Sequence, residues 1–102
     1  MSDKDVKALL YWEHLVHGFG KDSMPTVLRV GPYRFFFYSS DGRERPHVHV
    51  EAGEHSAKYW LSPPRRARTG GFAERELREI ETLIAAHHDD LVEAWHGYFG
   101  TA

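Results

Sequence analysis

Three polar side chains alternate with two valines in the run His47-Val48-His49-Val50-Glu51. Because successive side chains of a β-strand point to opposite faces, the alternation predicts that His47, His49 and Glu51 share one face. Two imidazoles and a carboxylate can bind a divalent metal ion or transfer protons near neutral pH. A metal site needs a third well-placed ligand, and Glu51 lies far along the strand from His47. The sequence therefore favours two histidines on a polar strand face, with no metal ligands assigned and no cofactor, and a histidine-based metal site stays an alternative.

Acid/base chemistry on a phosphodiester is the second possibility for the same face. A metal-independent ribonuclease needs a general acid, a general base and cations that stabilise phosphate charge. His47 or His49 could transfer the proton, Lys58 and Arg34 could hold phosphate oxygens, and Tyr38 could donate a hydrogen bond. The structural alternative is that Arg34 only pairs with a carboxylate on the neighbouring strand, a surface contact that stabilises by about 0–1 kcal/mol.

Aromatic and basic residues are interleaved in the same part of the chain, a composition typical of surfaces that stack bases and contact the phosphate backbone. The alternative is that these aromatics are covered, either by the same chain or by a second copy. The predicted nucleic-acid contacts are Phe36, Trp60, Arg45, Arg65, Arg66 and Arg68.

The spacing of the apolar residues along the chain predicts the strands and helices that must position these side chains. Runs rich in Val, Phe and Tyr, separated by turn residues, predict strands at 26–30, 33–39, 46–51 and 56–61. A two-residue turn at Gly53-Glu54 would place His47 opposite Trp60 and His49 opposite Lys58. A longer loop at Asp41-Gly42 would place Phe37 opposite Val48. The other face, which carries the valines, would then be apolar and need a helix to cover it.

The remaining segments predict helices and a loop. Residues 62–71 read as a flexible basic loop, and apolar residues spaced three or four apart predict an amphipathic helix over 73–99, which Asp89-Asp90 could break. Residues 1–23 predict a short helical extension, followed by one domain over 24–102. The predicted fold is α+β: a four-stranded antiparallel meander packed on a long C-terminal amphipathic helix, with an extra short N-terminal helix.

The composition limits the class of protein. The chain has 102 residues, a formal net charge of −2 and no cysteine, which excludes disulfides and thiolate chemistry and fits one small domain. Residues 1–23, 24–72 and 73–102 carry net charges of −1, +4 and −5, so a basic middle is joined to an acidic end. No segment resembles a membrane span or a signal peptide, so we expect a cytoplasmic protein.

Several ordered motifs closely resemble domain-of-unknown-function family 4160 (DUF4160). They are Met24-Pro25-Thr26-Val27-Leu28-Arg29, Tyr33 to Ser39, Pro46 to Val50, Ala57-Lys58-Tyr59-Trp60-Leu61, Gly71-Phe72 and Ala94-Trp95. The resemblance covers Met24 to Phe99 and implies a β-sheet with a C-terminal helix. It also implies small bacterial proteins encoded in toxin–antitoxin-like gene pairs, hence a small cognate protein, RNA or the translation apparatus as partner. The alternative is a non-catalytic interaction or homodimerisation module.

Overall fold

Six strands and two helices form the fold in the computed structural model, which describes residues 24–100 and the backbone of Leu9–Leu10. The sheet keeps chain order, and every pair of neighbouring strands is antiparallel. The strands are β1 (Leu9–Leu10), β2 (Thr26–Val30), β3 (Tyr33–Phe36), β4 (His47–Ala52), β5 (His55–Leu61) and β6 (Pro64–Arg68). A 3-10 helix (Ser39–Arg43) joins β3 to β4, and the chain continues into α1 (Glu74–Ala86) and α2 (His88–Phe99).

The α+β class and the antiparallel sheet are confirmed, but the prediction of four strands is wrong. The predicted basic loop contains β6, whose five residues are all exposed and which therefore has no alternation of apolar and polar residues to reveal it. Leu9 pairs with Arg29 and Leu10 pairs with Leu28, so these two residues form a strand where an N-terminal helix was predicted. The rest of the predicted 1–23 extension lies outside the described residues.

The turn between β4 and β5 fixes the register that the sequence predicted. Ala52 pairs with His55 around Gly53, whose φ of +59° is favourable for glycine at the first central position of a tight hairpin turn. His47 consequently pairs with Trp60 and His49 with Lys58, as predicted. All four side chains project from the same sheet face, which we call the histidine face.

The predicted register of β3 on β4 is confirmed, since Phe35 lies opposite Val50, but β3 is shorter than the predicted strand over 33–39 and the pairing does not reach Phe37 and Val48. Strand β3 ends at Phe36, which pairs with His49, and the N–H of Phe37 donates instead to the carbonyl of Pro25 at 3.1 Å. The chain then turns into the 3-10 helix. Phe37 is nevertheless fully buried, and its ring lies 5.4 Å from that of Trp95.

The opposite face of the sheet carries the hydrophobic core. Val48, Val50 and Tyr59 are at most 1% exposed and pack with the helices, which contribute Leu77, Ile80, Ile84, Leu91, Ala94 and Trp95. The predicted helix over 73–99 is divided into two, and the break falls at His87 (φ −113°, ψ 22°), two residues before the Asp89-Asp90 pair at which a break was expected. Asp89 and Asp90 lie in the first turn of α2, where carboxylates interact favourably with the helix dipole. Neither helix within residues 24–100 is long and apolar enough to cross a membrane.

The N-terminal cap of α1 lacks one hydrogen bond that serine would supply. The N–H of Ala73 donates to the Glu76 carboxylate at 2.9 Å, but the Ala73 side chain has no oxygen to accept a bond from the first turn. We expect Ala73→Ser to raise the free energy of unfolding by about 1 kcal/mol in urea titrations. Ala85→Ser, at an exposed position within α1, is the control and should lower it by about 0.5 kcal/mol. Equal effects of both serines would contradict the capping explanation.

Candidate functional site

Asp41 lies between the two histidines of β4. Its Oδ2 atom is 3.0 Å from Nε2 of His49 and 3.2 Å from Nε2 of His47. The contact with His49 is a hydrogen bond, whereas Nε2 of His47 is buried without a hydrogen-bond partner in the described part of the chain. These three donor atoms all lie within 4.8 Å of one another.

Backbone groups hold two members of this cluster in place. Nδ1 of His47 donates to the carbonyl of Arg45 at 2.9 Å, which assigns the remaining nitrogen, Nε2, to the side of Asp41. The N–H of Tyr38 donates to Oδ2 of Asp41 at 2.8 Å, and the N–H of Asp41 donates to the carbonyl of Tyr38 at 2.9 Å. The 3-10 helix thus positions the carboxylate over β4.

Burial dominates the electrostatics of the cluster. His47 is 0% exposed and His49 is 4% exposed. Burial lowers the pKa of His49 below its ordinary value, and Asp41 partly opposes that shift; His47 and Arg68 add to it. His49 is therefore neutral at pH 7 and keeps a lone pair on one ring nitrogen.

Phe36 and Tyr38 form one wall beside His49. The Phe36 ring is 1% exposed, with its centroid 5.4 Å from the His49 ring and the Arg34 guanidinium 4.3 Å over its face. Arg34 also bonds to Thr26 Oγ1 at 2.6 Å and pairs with Glu51 at 3.3 Å. Phe36 and Arg34 are therefore structural members of the histidine face. Tyr38 is 37% exposed and lies against His49 at 4.6 Å between ring centroids.

Cations surround Trp60 at the other end of the face. The Arg45 guanidinium is 4.3 Å and the Lys58 ammonium 4.6 Å from the Trp60 ring centroid. Lys58 also donates to Glu44 at 2.7 Å, and this hydrogen bond lowers the pKa of the Glu44 carboxyl. On the adjacent strand, Arg65 pairs with Trp60 and Arg68 with Lys58.

Arg66 belongs to the other side of the sheet. It is the register partner of Tyr59, and its guanidinium bonds to Glu74 and Glu81 on α1. A pocket of about 320 Å³ lies there, lined by Tyr59, Pro64, Arg65, Arg66, Glu81 and Ile84. This pocket does not include the histidines, although Arg65, the register partner of Trp60, also lines it.

The structure brings together most of the residues that the sequence singled out. His47, His49, Lys58, Trp60 and Tyr38 share the histidine face with Phe36, Arg34, Arg45, Arg65 and Arg68, and Arg66 does not. Asp41 was not among the predicted site residues, because its place beside Gly42 predicted only a turn. Only the 3-10 helix brings its carboxylate to β4, and no periodic signal in the sequence predicts that.

The fold and the histidine face define a small α+β protein with a helix-backed antiparallel sheet. The chain belongs to the family described as domain of unknown function DUF4160, whose model matches residues 33–96, more than half of the chain. No curated protein and no solved structure matches it.

Proposed function

We propose that this protein binds RNA through a basic surface on the histidine face. The surface consists of Arg45, Lys58, Arg65 and Arg68 around Trp60. The observation that carries the proposal is their convergence on one sheet face: Arg45 and Lys58 lie over the Trp60 ring, and Arg65 and Arg68 of β6 are the register partners of Trp60 and Lys58. The exposed Tyr38 lies on the same face, against His49. Cations paired with aromatics are the groups that contact the RNA backbone and stack its bases.

Three of these cations are available for phosphate. Within residues 24–100, no carboxylate lies within 4.0 Å of Arg45, Arg65 or Arg68, and all three residues are exposed. Lys58 differs, because Glu44 already neutralises it. Arg66 is likewise neutralised by Glu74 and Glu81. We therefore assign the phosphate contacts to the three arginines.

The aromatic residues divide between two roles. Cations already lie against Trp60, so it serves to position Arg45 and Lys58. Tyr38 is exposed and is the residue that we expect to stack on a base. Cleavage of RNA by His47 and His49 receives less support. A general acid or base must come within about 3 Å of the group that gives or takes the proton, and both histidines are buried.

We expect Arg45→Ala to weaken RNA binding and to reduce the slope of log affinity against log salt by about 1, because one phosphate contact is lost. Fluorescence anisotropy with a labelled single-stranded RNA measures both quantities. Arg75→Ala removes the same charge from exposed α1, which covers the opposite side of the sheet, and should leave the slope unchanged. We expect the RNA to remain intact after incubation with EDTA.

Two outcomes would contradict the proposal. RNA that stays unbound at low salt would exclude it, as would equal losses with Arg45→Ala and Arg75→Ala. If light scattering then showed a concentration-dependent mass, the alternative of a non-catalytic dimerisation module would replace it. The toxin–antitoxin-like setting, with a cognate protein encoded nearby, stays a prediction from the family resemblance.

A further inference from the structure

We propose that Asp41, His47 and His49 form a binding site for one first-row divalent metal ion such as Zn²⁺. The site is separate from the phosphate contacts assigned above, so it does not depend on RNA binding. In this site Asp41 is the third ligand, which the sequence alone did not reveal.

The distances between the donor atoms support this site. A metal ion bound at about 2.0–2.2 Å by imidazole nitrogen and carboxylate oxygen separates neighbouring ligand atoms by about 3.0–3.5 Å. Oδ2 of Asp41 lies 3.0 Å from Nε2 of His49 and 3.2 Å from Nε2 of His47. Two imidazoles and one carboxylate are also a ligand set that first-row divalent metals accept in proteins.

The hydrogen bonds around two of the three ligands, His47 and Asp41, match those of metal sites. His49 differs, because its Nε2 donates to Asp41 and its Nδ1 has no partner among the described residues, so metal binding would move the His49 proton from Nε2 to Nδ1. A ligating histidine usually donates its other ring N–H to a carbonyl or carboxylate, and ligating carboxylates are themselves hydrogen-bonded. His47 donates from Nδ1 to the carbonyl of Arg45, and Asp41 accepts from the N–H of Tyr38. Both ligands are therefore already oriented by the backbone.

One buried atom points independently to a ligand. Nε2 of His47 belongs to a fully buried residue and faces the Asp41 carboxylate, yet it has no hydrogen-bond partner among the described residues. With Nδ1 engaged as a donor, Nε2 is the ring nitrogen left to face Oδ2 of Asp41, and the two atoms lie 3.2 Å apart without the geometry of a hydrogen bond. A metal ion bound between them would take both atoms as ligands.

The test uses the full chain without an affinity tag. We expect one equivalent of Zn²⁺ to shift the ring ¹⁵N resonances of His47 and His49, with His47 protonated at Nδ1, while the other histidine signals stay in place. Titration with Co²⁺, followed by visible absorption, should give one site. Asp41→Asn removes the charge but keeps an oxygen to accept from Tyr38, and it should weaken Co²⁺ binding at least about tenfold.

His55→Ala is the control, because His55 is exposed and lies outside the cluster; it should bind Co²⁺ like the natural chain. Unshifted ring resonances at one equivalent of Zn²⁺ would overturn the proposal, whatever the variants do. A doubly protonated His47 ring that persists with Zn²⁺ present would also overturn it and identify a simple imidazolium–carboxylate pair. Failure of RNA binding would leave these results unchanged, so the two proposals fail separately.

Discussion

Replacing Gly70 with alanine is expected to lower the free energy of unfolding by about 3 kcal/mol or more. A Cβ atom at this position would lie 1.8 Å from the carbonyl oxygen of Ser56, which belongs to the backbone of β5 and cannot move aside without disturbing the strand. The φ of +62° adds about 1 kcal/mol for any residue with a side chain. The loop after β6 therefore depends on glycine to lie against β5.

Urea unfolding followed by circular dichroism measures this loss. Gly53→Ala is the matched control, because φ there is +59° but no atom of residues 24–100 beyond its chain neighbours lies within 4 Å of the added Cβ. We expect it to cost about 1 kcal/mol. If Gly70→Ala were no worse than Gly53→Ala, the close approach to Ser56 would not be a constraint.

Replacing Phe37 with alanine is expected to cost about 3–5 kcal/mol, the usual loss for a buried phenylalanine. Its ring lies 5.4 Å from Trp95 and 5.5 Å from Phe99, so it joins the end of the sheet to α2. The same substitution would loosen the start of the 3-10 helix that carries Asp41. The loss is measurable as a lower urea midpoint with an unchanged slope.

Tyr38→Ala is the control for this prediction, since Tyr38 is the next residue along the chain but is 37% exposed. We expect it to cost about 1 kcal/mol, mainly through the lost contacts with His49 and Phe36. Similar losses for both variants would show that Phe37 does not anchor α2.

Local sequence patterns predicted the strands in which apolar and polar residues alternate. They also predicted the register of the strand pair that is joined by a tight turn. His47 opposite Trp60 follows from counting back from Gly53-Glu54, and the structure confirms it. The same counting assigned the histidines to a face but gave no information about what covers that face. His47 and His49 are contacted by residues outside the sheet, including Asp41 of the 3-10 helix and, for His47, Trp95 of α2.

The elements that the sequence analysis missed depend on pairing or on irregular backbone. Strand β6 begins at Pro64 and consists of exposed residues, so only its pairing with β5 defines it. The helix was predicted to break at Asp89-Asp90, because aspartate favours the start of a helix. The break lies at His87, and the two aspartates stand inside the first turn of α2. Asp41 reaches β4 through a 3-10 helix that no hydrophobic period predicts.

Strand β6 also affects how the molecule behaves at high concentration. An edge strand with unpaired backbone groups can recruit another chain and begin aggregation. Two copies meeting edge to edge along β6 would bring Arg65 and Arg68 close to the same arginines of the other copy. That like-charge repulsion disfavours open-ended stacking of sheets, so the arginines protect the protein against fibre formation.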